Sequence, residues 1–181
     1  SSHGLLRILG EISLNLLRSE EPAFDEQQLA QWIEKPARDV PVDKLLDLLL
    51  VLGVLAGDDQ KYYFSHRVFK EYFAARYIID SAASAAEYFR VSHQRNWMDG
   101  AMRMACSLAS DATPLLETMM SKGSAAGRDY ALLAQMLAQP IEAEPEILDD
   151  SCRTLIAWLD DQTAGWEPIE EEHETADSSA R

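Results

Sequence analysis

Positive charge is what this sequence has least of. Sixteen Lys and Arg oppose 31 Asp and Glu, a formal net charge of -15 over 181 residues. The shortage is concentrated. From Pro140 onward 13 acidic residues face only Arg153 and Arg181, so -11 of the charge lies there and about -4 is left for the rest. No window is basic enough to track a phosphate backbone, which excludes nucleic acid as the expected partner. Cysteine is scarce too: Cys106 and Cys152 stand far apart with no CxxC or CxxH spacing. A disulfide framework or a zinc site is therefore not expected, and a reducing cytosol, hence a cytoplasmic location, fits. The longest uncharged apolar run, Leu48 to Gly57, is too short to span a bilayer, and no signal peptide is present. There is no GxxxxGK[ST] and no apolar strand ending in a metal-binding Asp, so the chain is not expected to hydrolyse nucleotides and has no catalytic residues to name. The opening "SSHG", without Met, reads as a tag scar on a piece of a longer protein.

What is there is helical. Hydrophobic residues make up 47% of the chain, enough for a sizeable core. Residues 4–18 form an amphipathic pattern with Leu5, Ile8, Leu9, Ile12 and Leu16 on one face. Asp25 can cap a second helix running to about Glu34. Pro41 suits the first turn of a third, and Gly53 suits its end. "VLAGDDQKYYFS" then predicts a β-hairpin with strands Val54 to Ala56 and Lys61 to Phe64 around a turn at Gly57-Asp58-Asp59-Gln60. Further helices are expected at 66–80, 82–90, 94–110, 114–122, 125–139 and 145–160, with Thr113 or Asp111 as a cap. The fold expected is mainly α: three helices and a hairpin in winged-helix order over residues 4–80, then a helical bundle or repeat region over 81–165. Residues 166–181 are acidic, poor in apolar side chains and expected to be disordered.

One stretch asks for more than packing. In "YYFSHRVFKEYFAARYII" an aromatic strand gives way to an aromatic helix, with His66 at the join. Helical spacing puts His66, Phe69, Phe73 and Tyr77 on one face, widened by Val68, Tyr72, Ala75 and Ile79, with Arg67, Lys70 and Glu71 on the other. From the residues alone two readings stand. His66 is a core histidine bonded to a nearby carbonyl, or it sits at a helix N-terminus whose unpaired N–H groups and dipole favour a bound anion such as phosphate.

The same stretch resembles the end of the winged-helix domain in NACHT-type NTPases of the STAND class. Their pattern is roughly F-x-H-x-x-F-x-E-Y/F-F-A-A-x-Y. Phe64, His66, Phe69, Glu71, Tyr72, Phe73, Ala74, Ala75 and Tyr77 match it. "NWMDGAMRMA", with Trp97, is similar to the tryptophan-bearing helix that often follows. The resemblance covers residues 4 to 110, and its sharp part is 62 to 79. It implies that His66 reaches the β-phosphate of ADP bound with Mg in an N-terminal NTPase core, with Arg67 as a helper. Phe64, Phe69, Tyr72, Phe73 and Tyr77 would form the structural core of the motif. It further implies a closed ADP state and an ATP state that opens and forms homo-oligomers. The parent would be an ATPase; this chain, lacking the P-loop, would hold no cofactor itself. The helical region would sense a protein or ligand, and in a bacterium the output would be antiphage defence or stress signalling.

Other signals are blander. The third helix offers Lys44 against Asp43 and Asp47, otherwise Leu and Val, so it reads as built for burial rather than for reading DNA. Glu170 to Glu174 around His173 reads as a solvated tail rather than a metal site. Met98, Met102, Met104, Met119 and Met120 read as core filling, and so does Trp158, which falls among Leu155, Ile156 and Leu159. His93, near Arg95, reads as a helix-start residue. The alternative to the nucleotide-linked role is an autonomous helical adaptor that binds a protein partner.

Overall fold

The computed structural model describes residues 2–19, 21–33, 41–58, 60–80, 99–120, 127–164. The expected helix at 82–90, the residues His93, Trp97 and Met98, the acidic tail with His173, and Trp166 lie outside the described residues. The described part is mainly helical with one two-stranded antiparallel sheet. The elements are α1 (Ser2–Ser19), α2 (Glu26–Trp32), α3 (Val42–Val51), β1 (Leu55–Asp58), β2 (Lys61–Phe64), α4 (Arg67–Asp80), α5 (Asp99–Leu108), α6 (Thr113–Met120), α7 (Gly127–Leu137) and α8 (Pro145–Thr163).

Local chemistry sets the ends of the first elements. The Asp25 side chain accepts from the Gln28 N–H at 2.9 Å, and the Gln28 side chain accepts from the Asp25 N–H at 2.9 Å, a reciprocal box that starts α2. The Gln28 N–H and then the Lys61 ammonium, 3.0 Å away, hold the Asp25 carboxyl below its usual range. α3 stops at Gly53, which takes φ 67. Its N–H donates to Leu50 at 3.0 Å, and the next N–H, of Val54, donates to Leu49 at 3.1 Å. That pair of bonds satisfies the last carbonyls of the helix, and the left-handed residue between them is one that glycine adopts without a Cβ penalty.

The hairpin is tighter than the composition suggested. Asp58 pairs with Lys61 and Gly57 with Tyr62, so Gly57 and Asp58 belong to β1 rather than to the turn. Only two residues connect the strands, and Gln60 adopts φ 67 there. A Cβ on Gly57 would lie 3.1 Å from the Tyr62 ring, so the glycine gives that ring its seat across the ladder. Phe24, between α1 and α2, adds an antiparallel bridge to Tyr62, with N–H···O distances of 2.8 and 2.7 Å. The Phe24 ring is fully buried and lies 5.9 Å from Tyr62 and 5.6 Å from Trp32.

Two buried clusters result. One gathers Ile8, Leu9, Ile12 and Leu16 of α1 with Phe24, Leu29, Leu45, Leu46, Leu49, Leu55 and Phe64. The other gathers Leu14 and Leu17 of α1 with Ala74, Ala75 and Ile78 of α4 and the apolar faces of α5, α6 and α7. α1 therefore serves both, and its middle, residues 8–14, is buried all round. This corrects the one-faced reading of that helix. The polar groups so enclosed are satisfied locally: Ser13 Oγ donates to the Leu9 carbonyl at 2.7 Å, and Arg7 Nε donates to Glu11 at 3.1 Å. α4 likewise feeds both clusters, with Phe69 and Phe73 packed on the first.

α4 lies between α1 and α5, and these two pairings are the most extensive between the described helices. Glycine makes both approaches possible. A Cβ on Gly10 would stand 2.6 Å from the Tyr77 Cβ, and one on Gly100 would overlap the Glu71 carboxyl group. Farther on, the Ala112 N–H donates to the Glu142 carbonyl at 2.7 Å, and the Glu144 N–H donates to Thr113 Oγ1 at 2.8 Å. These bonds tie the start of α6 to the start of α8. Asp111, not Thr113, supplies the cap, accepting from the Thr113 N–H at 2.9 Å. The Cys106 thiol is fully buried, and burial pushes its pKa up to about 12, so it is a packing group rather than a nucleophile. Among the described residues no helix is long and apolar enough to cross a membrane.

Two outcomes follow from this packing. Gly10→Ala lowers stability by about 1–2 kcal/mol, because overpacking against the fixed Tyr77 Cβ outweighs the roughly 1 kcal/mol gained in helix propensity. Gly100→Ala costs less, since the end of the Glu71 side chain can swing aside. Thermal melts of both variants check the order, and a Gly10→Ala protein as stable as wild type would contradict the close crossing. The Asp25 carboxyl, whose pKa is lowered in the fold, contributes stability above its unfolded pKa and loses it as pH falls through the folded one. Asp25→Ala should therefore lower the melting temperature at pH 7, and the gap to wild type should shrink below about pH 4.

Candidate functional site

The chain reaches α4 under tight constraint. Ser65 Oγ donates to the Gly53 carbonyl at 2.5 Å and to Val54 at 3.1 Å, and the Ser65 N–H also donates to Val54 at 3.1 Å. The start of α4 is thereby fixed to the end of α3. His66 occupies the next position, one residue before the helix, and its carbonyl accepts from the Phe69 N–H at 3.0 Å. It is a helix-start residue with its side chain exposed. This corrects the expectation of an inward-facing ring in the first turn: one position earlier, the side chain leaves the helical face and points away from the core. Among the described residues its ring makes an edge-on approach to Phe69, centroids 5.5 Å apart at 70°.

The buried face of α4 is rotated from the one read in the sequence. Glu71, Ala74, Ala75 and Ile78 are buried. Of the motif's expected core, Phe64 is buried, while Phe69, Phe73 and Tyr77 are half-buried and pack against the clusters. Tyr72 is 37% exposed and Val68 52% exposed, so neither is core. The aromatic rings chain together instead: Phe64 to Phe73 at 6.0 Å, Phe69 to Phe73 at 6.5 Å and Tyr72 to Phe73 edge-on at 5.4 Å.

Glu71 is the residue that periodicity misplaced. It was assigned to the outer side with Arg67 and Lys70, yet it is buried against Gly100, and Arg67 Nε donates to its Oε1 at 2.7 Å. The Arg67–Glu71 spacing of four residues carried that signal, and the glycine inside a later helix carried the other half of it. Arg67 itself stays 83% exposed. Lys70 is half-buried, and burial first, then the neighbouring Arg67 charge, lowers its pKa. The first turn of α4 thus displays His66 and Arg67 to solvent at the positive end of a 14-residue helix, with Lys70 beside them. Chemically that group can meet an anion. Among the described residues no group of His, Cys, Asp and Glu could hold a metal ion.

α3 departs from the reading that it was built for burial. Leu45, Leu46 and Leu49 are buried, but Leu48, Val51 and Leu52 are exposed, Val51 by 85%. Lys44, Asp43 and Asp47 are exposed as well. Compared with family models, with curated proteins and with solved structures, the chain matches none.

His66→Ala should leave stability within about 0.5 kcal/mol of wild type, as expected for an exposed side chain. Phe69→Ala should cost about 2 kcal/mol, short of the 3 or more that full burial would bring. Denaturant unfolding of the two variants checks this. Equal losses would mean that the His66 ring is part of the fold rather than presented to solvent.

Proposed function

We propose that this chain is the regulatory C-terminal part of a NACHT-like signal-transduction ATPase. In this reading residues 4–80 are a winged helix. Three helices precede the hairpin, and the Phe24 bridge to Tyr62 supplies the short first strand of that fold. Residues 81–165 would then begin a helical sensor region, followed by the acidic segment 166–181. The parent would be cytoplasmic and would couple sensing of a protein or ligand to opening of its nucleotide site and to homo-oligomerisation. Antiphage defence is the setting the resemblance implies.

The observation that carries this reading is the exposure of His66 at the start of α4, directly after the hairpin. A core histidine would be enclosed; this one is presented. The residues around it suit a phosphate: an imidazole N–H, the Arg67 guanidinium and the positive end of a helix. ADP with Mg would be held chiefly by the P-loop of the N-terminal core, which this sequence lacks. The chain's own part would be to add one donor to the phosphate and so stabilise the closed state. Because Ser65 ties α4 to the end of α3, a displacement of His66 would carry α3 and the hairpin with it.

The exposed apolar residues of α3 and α8 favour the second reading, an autonomous helical adaptor that binds a protein without nucleotide. Nucleotide content separates the two. Full-length parent purified from cells should carry ADP, and His66→Ala should lose it and raise basal oligomerisation, read by chromatography of released nucleotide and by light scattering. A parent that carries no nucleotide, with wild type and variant alike, would sink the first reading and leave the adaptor.

A further inference from the structure

α8 buries one face and still exposes a second apolar row. Its inner side is complete: Ser151 is fully buried with its Oγ 3.2 Å from Met120 Sδ, Ile147, Leu148 and Leu155 pack on the core, and Trp158 stacks on Tyr130 at 4.9 Å and 18°. Outside that face run Cys152, Ile156 and Leu159, spaced four and three residues apart and therefore aligned along the helix. All three are exposed, Ile156 by 56% and Leu159 by 46%. The sequence reading put Ile156 in the core with Trp158; the helix was instead found to carry two apolar faces.

The exposed row has a charged border. Asp149 lies three residues before Cys152, and Asp160 lies four after Ile156, so helical geometry sets both beside the row. Glu146, Asp150 and Asp161 continue the acidic surface round the helix. The helix's sole cation, Arg153, is engaged by Asp149 and, at 3.2 Å, by Asp150. An apolar row edged by more carboxylates than one arginine can balance is a surface with both a shape and a sign.

We propose that this face of α8 docks an amphipathic helix of a protein partner, with an apolar row flanked by lysine or arginine. The sign selects the occupant. Residues 165–181 carry six acids and a single arginine, so the chain's own C-terminal segment is repelled. A second copy would set five acids against five with one arginine on each side, and an anionic lipid surface is repelled in the same way. A basic amphipathic helix alone covers the row and answers the border. Apolar contact would supply most of the affinity, and the charges would speed association and make it fall with salt. The inference holds whether or not the parent binds nucleotide.

The test is fluorescence anisotropy of a labelled synthetic helix of about 18 residues, with leucines on one face and lysines beside them, titrated with the 181-residue chain at low and moderate salt. Saturable binding should weaken about tenfold in Ile156→Asp and in Leu159→Asp. Both positions are exposed, so circular dichroism should confirm an intact fold. Asp149→Lys combined with Asp160→Lys should weaken the lysine peptide and admit a glutamate version of it. Three results would overturn the proposal. One is equal affinity for a peptide of the same composition with its leucines scattered round the helix. Another is Ile156→Asp binding as tightly as wild type. The third is a wild-type dimer in sedimentation that Ile156→Asp disperses, which would give the face to a second copy.

Discussion

The crossing of α4 with its two neighbours governs the molecule. α1 meets it where Gly10 faces Tyr77, and α5 meets it where Gly100 faces Glu71. At Gly10 the helices come closer than a side chain on the glycine would allow, and at Gly100 the glycine leaves the space that the Glu71 carboxyl group fills, so helical propensity is given up for approach. The approach lets one helix serve two hydrophobic clusters: Phe69 and Phe73 for the first, Ala74, Ala75 and Ile78 for the second. The small residues Ala74 and Ala75 are fully buried in the second cluster. Glu71 is accepted inside because Arg67, one turn earlier, reaches it from solvent.

From that crossing the functional end of α4 takes its position. The helix is held along its length by α1 and α5, and its start is held by the Ser65 hydroxyl on the Gly53 and Val54 carbonyls, just past α3. His66 is consequently a presented group on a base tied by hydrogen bonds and packed helices. Such a base would suit the nucleotide-sensing role proposed for His66, because any displacement has to be shared with α3 and the hairpin.

Much of this was legible, and the failures share one cause. The Asp25 cap, the Gly53 stop and the hairpin could be read because each rests on local chemistry: a carboxylate and its N–H groups, a left-handed residue, two β-rich runs. The hairpin's turn was misjudged at Gly57, where glycine answers the Tyr62 ring rather than a bend. Periodicity was weaker wherever a helix has more than one partner. It finds a single apolar face, but the middle of α1 is enclosed all round, α4 is held on two sides, and α3 and α8 each carry an apolar row that the fold leaves in water. Glu71 and Gly100 could not be joined from sequence, since only the crossing of two helices brings them together. Within the candidate site, the motif located His66, but its exposure depended on a one-residue shift of the helix start, which spacing does not resolve.

The all-round burial of α1 bears on how the protein comes into being. α1 is made before the elements that cover it: it finds α4 only some sixty residues later, and α5 follows α4. At ordinary rates of synthesis that interval lasts seconds, far longer than a helix needs to form. Through it, Leu14 and Leu17 have no cluster to enter, and only the half of α1 that packs on α2 and α3 can be sheltered early. The nascent chain therefore passes through a stage with one apolar flank of α1 in water. That stage is where a chaperone would be most useful to it, and it ends when Tyr77 arrives over Gly10.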